Sequence, residues 1–276
     1  MGGLIEIYLD ISSLYSYIAF LQVLKTEDLL KQHDVDIEIH PVFLAGINAG
    51  SGNQPPWVLP AKAAHAGYDS ARSLRAVGVP AGAVSPPGDL MEAGRTQLAL
   101  RALARVRERH GRAAYHAAWR HLFDAFWTRH VAPATPAALG RALAAVPRPA
   151  WLAAHPAYYP SLTDDAAAEP ADWHAAPRPD DPAPLFPQPE VDALVAAAAA
   201  DPALKAALRR TTEQALARGA FGAPWFWVTR RGPPGGGDDE AAEPFFGSDR
   251  WAHIYEFLRL PYQELALLPP SGAAKL

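Results

Sequence analysis

The hydrophobic period switches twice between residues 4 and 43, and that switch limits the fold more than any other feature of the chain. Leu4-Ile5-Glu6-Ile7-Tyr8-Leu9 alternates with a period of two, as a half-buried strand does. Ser12 and Ser13 follow, and serine is a favoured helix N-cap. From Leu14 to about Lys31 the period becomes helical, with Tyr17, Leu21 and Leu24 spaced by four and three. Val35-Asp36-Ile37-Glu38-Ile39-His40 then alternates again and reads as a second strand ending near Val42-Phe43. Strand, helix, strand over so short a stretch is a βαβ unit, which predicts a parallel sheet.

The remainder sorts by the same signals. Gly46 to Pro60 is rich in Gly, Asn and Pro and reads as a loop. Residues 61–146 are helical and Ala-rich. The clearest helix runs from Ala113 to His130 with Tyr115, Trp119, Leu122 and Phe126 on one face, and Leu139, Leu143 and Val146 mark another. Residues 147–189 interrupt the pattern: Pro and Asp crowd a segment that also carries Trp151, Tyr158, Tyr159, Trp173 and Phe186. It reads as an irregular excursion partly packed on the body. Helix returns at Val191 and restarts at Asp201-Pro202, an N-cap followed by proline at the first helical position, ending at Gly219. Trp225-Phe226-Trp227-Val228 and Glu243-Pro244-Phe245-Phe246 flank a Gly-rich loop at 232–237 and read as a hairpin. Ser248 then reads as the N-cap of a last helix bearing Trp251, Ile254, Tyr255 and Leu258. The expected fold is α/β: a thioredoxin-like βαβ–ββα layer from residues 1–60 and 219–276, with a large all-helical insertion at 61–218.

Several function classes drop out. With no cysteine, disulfide frameworks, thiolate metal sites and thiol–disulfide redox chemistry are excluded. A net charge of −4 without a dense Lys/Arg run argues against a nucleic-acid partner. The start of the chain lacks the pattern of a secretory signal, and no apolar run approaches membrane-spanning length, so no membrane partner is expected. His116 and His121 are five apart, which does not align them on a helix, and no metal site is expected.

Three segments carry residues that a core does not need. Asp10 to Tyr17 lies at a strand-to-helix junction, where open α/β sheets bind ligands and a helix N-terminus favours an anion. Ser13 can donate a hydrogen bond there, although a plain helix cap explains the same serine. Gly222-Ala223-Pro224 before Trp225 fits a cis peptide that frees neighbouring backbone groups for an extended ligand; a trans proline opening a strand fits as well. Gly247-Ser248-Asp249-Arg250 can hold a carboxylate on backbone N–H groups and an ammonium on Asp249, or be another cap.

In combination these segments resemble the kappa-class glutathione transferases and the related 2-hydroxychromene-2-carboxylate isomerases, which share a DsbA-like fold. The matching residues are Tyr8-Leu9-Asp10 with Ser13-Leu14-Tyr15-Ser16-Tyr17; Gly46-Ile47, Ser51-Gly52-Asn53-Gln54-Pro55-Pro56, Pro60 and Lys62; Gly219-Ala220-Phe221-Gly222-Ala223-Pro224; and Phe246-Gly247-Ser248-Asp249-Arg250. The resemblance is good over about 4–80 and 190–260, weaker over 85–146, and absent over 147–189. It implies glutathione as co-substrate, with no metal. Ser13 would take the position of a thioredoxin's attacking cysteine and donate its hydroxyl to the glutathione sulfur. Leu14 and Tyr15 would follow it at the helix start, and Ala223 would pair with the cysteinyl backbone beside cis Pro224. Ser248 and Asp249 would hold the γ-glutamyl end; Asn53 and Lys62 would close the site, Lys62 against a carboxylate, although alone it reads as a surface lysine. Leu14 departs from the proline usual after the serine, and Trp225 from the smaller residue usual after the cis proline.

The implied activity is glutathione transfer to small hydrophobic electrophiles. Glutathione-dependent isomerisation at the same site is one alternative, and a non-catalytic DsbA-like binding or assembly protein another. The family's members are commonly homodimers. Ala274-Lys275-Leu276 is a variant of the Ser-Lys-Leu peroxisomal address, implying the peroxisomal import receptor as a partner in a eukaryote and a cytoplasmic protein otherwise.

Overall fold

The structure is a computed structural model that describes residues 2–154, 183–232 and 240–263. Tyr158, Tyr159, Trp173, most of the Gly-rich hairpin loop and Ala274-Lys275-Leu276 lie outside the described residues.

The opening unit forms as the alternation requires. Strand β1 (Gly2–Leu9) and strand β2 (Val35–Pro41) flank helix α1 (Leu14–Gln32) and pair in parallel, Ile5 opposite Ile37 and Leu9 opposite Pro41. The other end supplies β3 (Trp225–Arg231) and β4 (Ala241–Phe246), an antiparallel hairpin. β3 also pairs antiparallel with β1, giving the order β2-β1-β3-β4. Helix α11 (Trp251–Phe257) is the last helix among the described residues and buries Trp251 and Ile254.

Between the halves come α2 (Leu44–Ser51), α3 (Pro60–Ala76), the one-turn α4 (Leu90–Ala93), α5 (Gln97–Arg109), α6 (Arg112–Trp127), α7 (Pro136–Ala144), α8 (Pro149–Ala154), α9 (Gln188–Ala200) and α10 (Pro202–Ala217). Asp201 caps α10, its carboxylate accepting from Ala203 N at 2.8 Å, and Gly219 follows with φ +89°. Both are the punctuation expected from Asp-Pro and Gly.

The insertion and the sheet share one apolar core. Ile5, Ile7 and Leu9 join Tyr17 and Phe20 of α1 and Trp119, Phe123 and Phe126 of α6 in a single cluster. Tyr17 and Trp119 both stack on Phe123, with ring centroids 5.2 Å apart in each case. The periodicity gives α6 one apolar face; in the structure it is buried almost all round, its polar residues Arg120, His121 and Asp124 included. A smaller cluster on the other sheet face gathers Tyr8, Val42, Ile47, Ala215, Ala220 and Trp225 under α2 and α10. The outer edge of β2 is not left open: Arg112 donates to Ile37 O, and Arg107 and Tyr115 donate to Ile39 O at 3.2 and 3.1 Å. Capping these carbonyls blunts an edge that would otherwise template strand addition.

Three local readings change. The Gly-rich stretch from Gly46 is helical through Ser51 rather than a loop. Its glycines serve packing, since a Cβ on Gly50 would lie 2.6 Å from Leu216 Cδ1 and one on Gly46 3.3 Å from Thr212 Cγ2. They let α2 lie close against α10. Residues 147–189 are not wholly irregular: α8 and the start of α9 lie inside that span, Pro147 bridges to Pro184, and Phe186 is buried with its ring edge-on to His110. Ser248 is not a helix cap, because α11 begins only at Trp251 and its capping position is Arg250, which makes no side-chain cap bond.

Candidate active site

The strand register gathers three loops at one edge of the sheet. Tyr8 of β1 lies opposite Trp225 of β3, and Trp225 opposite Phe246 of β4. The residues after β1, before β3 and after β4 therefore leave the sheet side by side, although the first lie over two hundred positions from the other two in the chain. Val42 N donates to Leu9 O at 3.0 Å, bringing the start of α2 to the same edge. This is the carboxyl end of the parallel pair, where open sheets bind ligands.

Ser13 stands where these loops meet. Its backbone is extended, φ −98° and ψ 115°, as an N-cap requires, and its Oγ accepts from Ser16 N at 3.1 Å. The hydroxyl proton goes to Ala223 O at 2.8 Å, directly joining the helix start to the loop before β3. The Ala223–Pro224 peptide is cis. Ser13 is only 7% exposed, and no acidic residue in the first turn of the 19-residue α1 offsets its N-terminal partial charge.

The other expected residues are distributed around it. Leu14 opens α1 and packs on the core. The Tyr15 hydroxyl donates to the Asp69 carboxylate of α3. Burial, followed by the charges of Asp69 and Asp249, pushes the Tyr15 phenol up, so it stays a donor. Asn53 Nδ2 donates to Phe221 O at 2.6 Å, tying the end of α2 to the loop that carries Ala223 and Pro224. Gly247 N reaches Pro224 O at 3.4 Å and links that loop to the turn of Ser248 and Asp249. Ser248 is buried; Asp249 is exposed and pairs with Arg250 Nη1 at 3.0 Å. Lys62 stands exposed on the first turn of α3 and takes no part in these contacts. Trp225 is 4% exposed and packs beneath the loop among Tyr8, Val42 and Ile47, with its indole against the Phe221 and Phe246 rings.

The sequence reading assigned no role to two acids that organise the site. Asp10 is fully buried one step beyond β1, and its carboxylate accepts from Ser12 N at 2.9 Å, Ser12 Oγ at 3.0 Å, Thr96 Oγ1 at 2.8 Å and Leu44 N at 2.7 Å. It thereby pins the Ser12-Ser13 turn to the starts of α2 and α5. Burial pushes its pKa up against the pull of those hydrogen bonds. A carboxylate immediately after an apolar strand was the available signal. Asp69, in contrast, sits in mid-helix and carries no local mark. Behind the site, Arg218 at the end of α10 bonds Glu6 Oε2 at 2.8 Å and the Tyr8 hydroxyl, and stacks 5.0 Å from the Trp227 ring centre. Among the described residues no group of three His, Cys, Asp or Glu side chains is placed to hold a metal ion.

A mixed four-stranded sheet, a large helical insertion and a serine hydroxyl capping the first helix beside a cis-proline loop define a thioredoxin-type fold. The family model described as the DSBA-like thioredoxin domain matches residues 4–146, and the chain belongs to that family. The chain is 34% identical over 128 residues to glutathione S-transferase kappa 1 of Caenorhabditis elegans, a match covering 45% of this chain. It spans about half, 54%, of that relative's length. It is also similar in fold to a solved structure of selenomethionyl 2-hydroxychromene-2-carboxylate isomerase, with TM-score 0.58 and 15% identity over 92% of this chain and 93% of the other.

Proposed function

We propose that this protein is a kappa-type glutathione transferase in which Ser13 stabilises the glutathione thiolate for attack on small hydrophobic electrophiles. The observation that carries the reading is the position of the Ser13 hydroxyl, held at once by the first turn of α1 and by Ala223 O. A ligand whose backbone paired with Ala223 would lay its side chain beside this hydroxyl and the helix N-terminus. The serine has one proton to give. A ligand N–H that took over Ala223 O would release that proton to the sulfur.

A free thiol has a pKa of about 8.5 and is mostly protonated at neutral pH. One charge-assisted hydrogen bond and the partial positive charge of α1 favour the thiolate, the actual nucleophile. In transfer, the sulfur lone pair forms the new carbon–sulfur bond and the electrophile's leaving group or π pair takes up the displaced electrons. Ser248 and Asp249 would bind the γ-glutamyl carboxylate and ammonium, Asp249 exchanging part of its Arg250 contact for the ligand. Asn53 and Lys62 would meet the other end. The similarity to a kappa transferase puts transfer ahead of reversible addition and isomerisation.

The experiment is an ultraviolet titration of thiolate absorbance with glutathione bound to wild-type protein and to Ser13→Ala. The expected result is a thiol pKa lowered by the wild type and not by the variant. Glutathione that fails to bind, or binds with its pKa unmoved, overturns the reading.

A further inference from the structure

Large apolar side chains left in water usually mark a binding surface when they cluster. Apart from Leu29 and Tyr262, those exposed among the described residues fall on segments that contact the loops around Ser13. Phe221 and Phe246 lie at the cis-proline loop, in mutual contact with ring centroids 4.5 Å apart. Met91 lies on α4, whose trailing Gly94 would bring a Cβ within 3.7 Å of Ser12 Cβ. The remainder, Trp57, Val58, Leu59 and Tyr68, belong to residues 53–69, between α2 and the middle of α3.

That stretch is a strap fastened at both ends to neighbours of Ser13. Asn53 holds it to Phe221 O on one wall, and Asp69 holds it to the Tyr15 hydroxyl on the other. Between the fastenings, Pro55, Pro56 and Pro60 fix the backbone φ angles and present the 3₁₀ turn Pro56–Val58 in one pose. Trp57 is 47% exposed at its centre. A cleft of about 210 Å³ lies at the β2 edge beside Arg107 and Arg112. A groove of about 580 Å³ lies between α7 and α9.

We infer that Trp57 and Leu59 on this strap form the apolar wall that takes the hydrocarbon part of the electrophile and set the preference for long or aromatic substituents. The inference rests on the glutathione reading. The occupant is a small acceptor and not a second copy of the chain, because the strap's two fastenings converge on the walls of the Ser13 site. A proline-stiffened wall also binds without a large ordering cost.

The test is a series of trans-2-alkenals from propenal to nonenal with glutathione, each rate corrected for the uncatalysed reaction. In each addition the sulfur bonds C3, the C2–C3 π pair moves onto the carbonyl as an enolate, and water supplies the proton at C2. For wild type kcat/KM should rise with chain length, by up to about fourfold per buried methylene. In Trp57→Ala and Leu59→Ala the rise should flatten, while propenal turnover and the thiolate titration stay at wild-type values. Leu29→Ala, on the exposed face of α1, should keep the full rise. An unchanged rise in both strap variants with the thiolate intact overturns the inference and leaves the glutathione reading standing. A shift in sedimentation with the rise unchanged overturns it in favour of a second copy on the rim. Wild-type protein that does not lower the thiol pKa removes the glutathione reading and this inference together.

Discussion

At the scale of single residues, Ser13 does two jobs with one oxygen. It accepts from Ser16 N as a helix cap and donates to Ala223 O across the site. Ser13→Ala therefore removes a cap, worth about 1 kcal/mol of stability, and leaves Ala223 O without its donor. If the hydroxyl also donates to the glutathione sulfur, losing that charge-assisted bond raises the bound thiol pKa by about 1 to 2 units. Urea unfolding reads the first effect and the thiolate titration the second, so cap and catalyst are separable. The cap was legible in the sequence because a serine between an apolar strand and an apolar helix has few other readings. Its bond to Ala223 was not, since nothing local relates positions so distant in the chain.

Asp10 and Asp69 belong to the scale of elements, because each fastens one secondary structure to another. Asp10→Asn keeps the size of the side chain but turns one of its two acceptor oxygens into a donor, which must then face the N–H of either Leu44 or Ser12. The expected loss is about 1–3 kcal/mol, seen as a lower urea midpoint with an unchanged m-value. Asp69→Asn weakens the tie from Tyr15 to α3 without touching the sheet. Amides in the first half of α3 should then exchange with deuterium faster, and those of β1 and β3 should not change. Most elements were legible from period and punctuation, including the Asp-Pro restart at Asp201. The α2 segment was not, because Gly46 and Gly50 mark a loop by propensity and a close helix contact only once α10 is beside them.

For the whole molecule, the buried histidines fix the response to acid. Burial, with Arg107 adding to it, lowers His40 to about 4; burial, with Arg112, lowers His116 to about 4. His121 is held well below its usual range by burial and then by Arg129. The close approaches of His40 to Glu6 at 3.5 Å and of His116 to Glu27 at 3.3 Å are therefore contacts of neutral rings, not ion pairs, at neutral pH. An unfolded histidine takes its proton near 6.5, so the unfolded chain binds protons that the native protein refuses until about pH 4. Stability is full above pH 6.5 and falls as the pH drops from there toward 4, by about 3 kcal/mol for each of His40 and His116. Asp10, raised by burial, works the other way and favours the native state in the acid part of that range. Urea midpoints measured from pH 7 to 4.5 should decline, and His40→Gln with His116→Gln should flatten the decline.

By itself the sequence determined the βαβ and ββα ends, the helical middle, the lack of cysteine side chains and the serine at the helix start. These follow from period, capping residues and composition, all of which act over a few neighbouring positions. Tertiary structure alone decided that Ser13, Ala223 and Ser248 share one sheet edge, that Trp225 packs beneath the loop, and that Asp10 and Asp69 hold the walls. Those outcomes depend on strand register and helix docking, in which each contact joins residues whose separation along the chain carries no local signal.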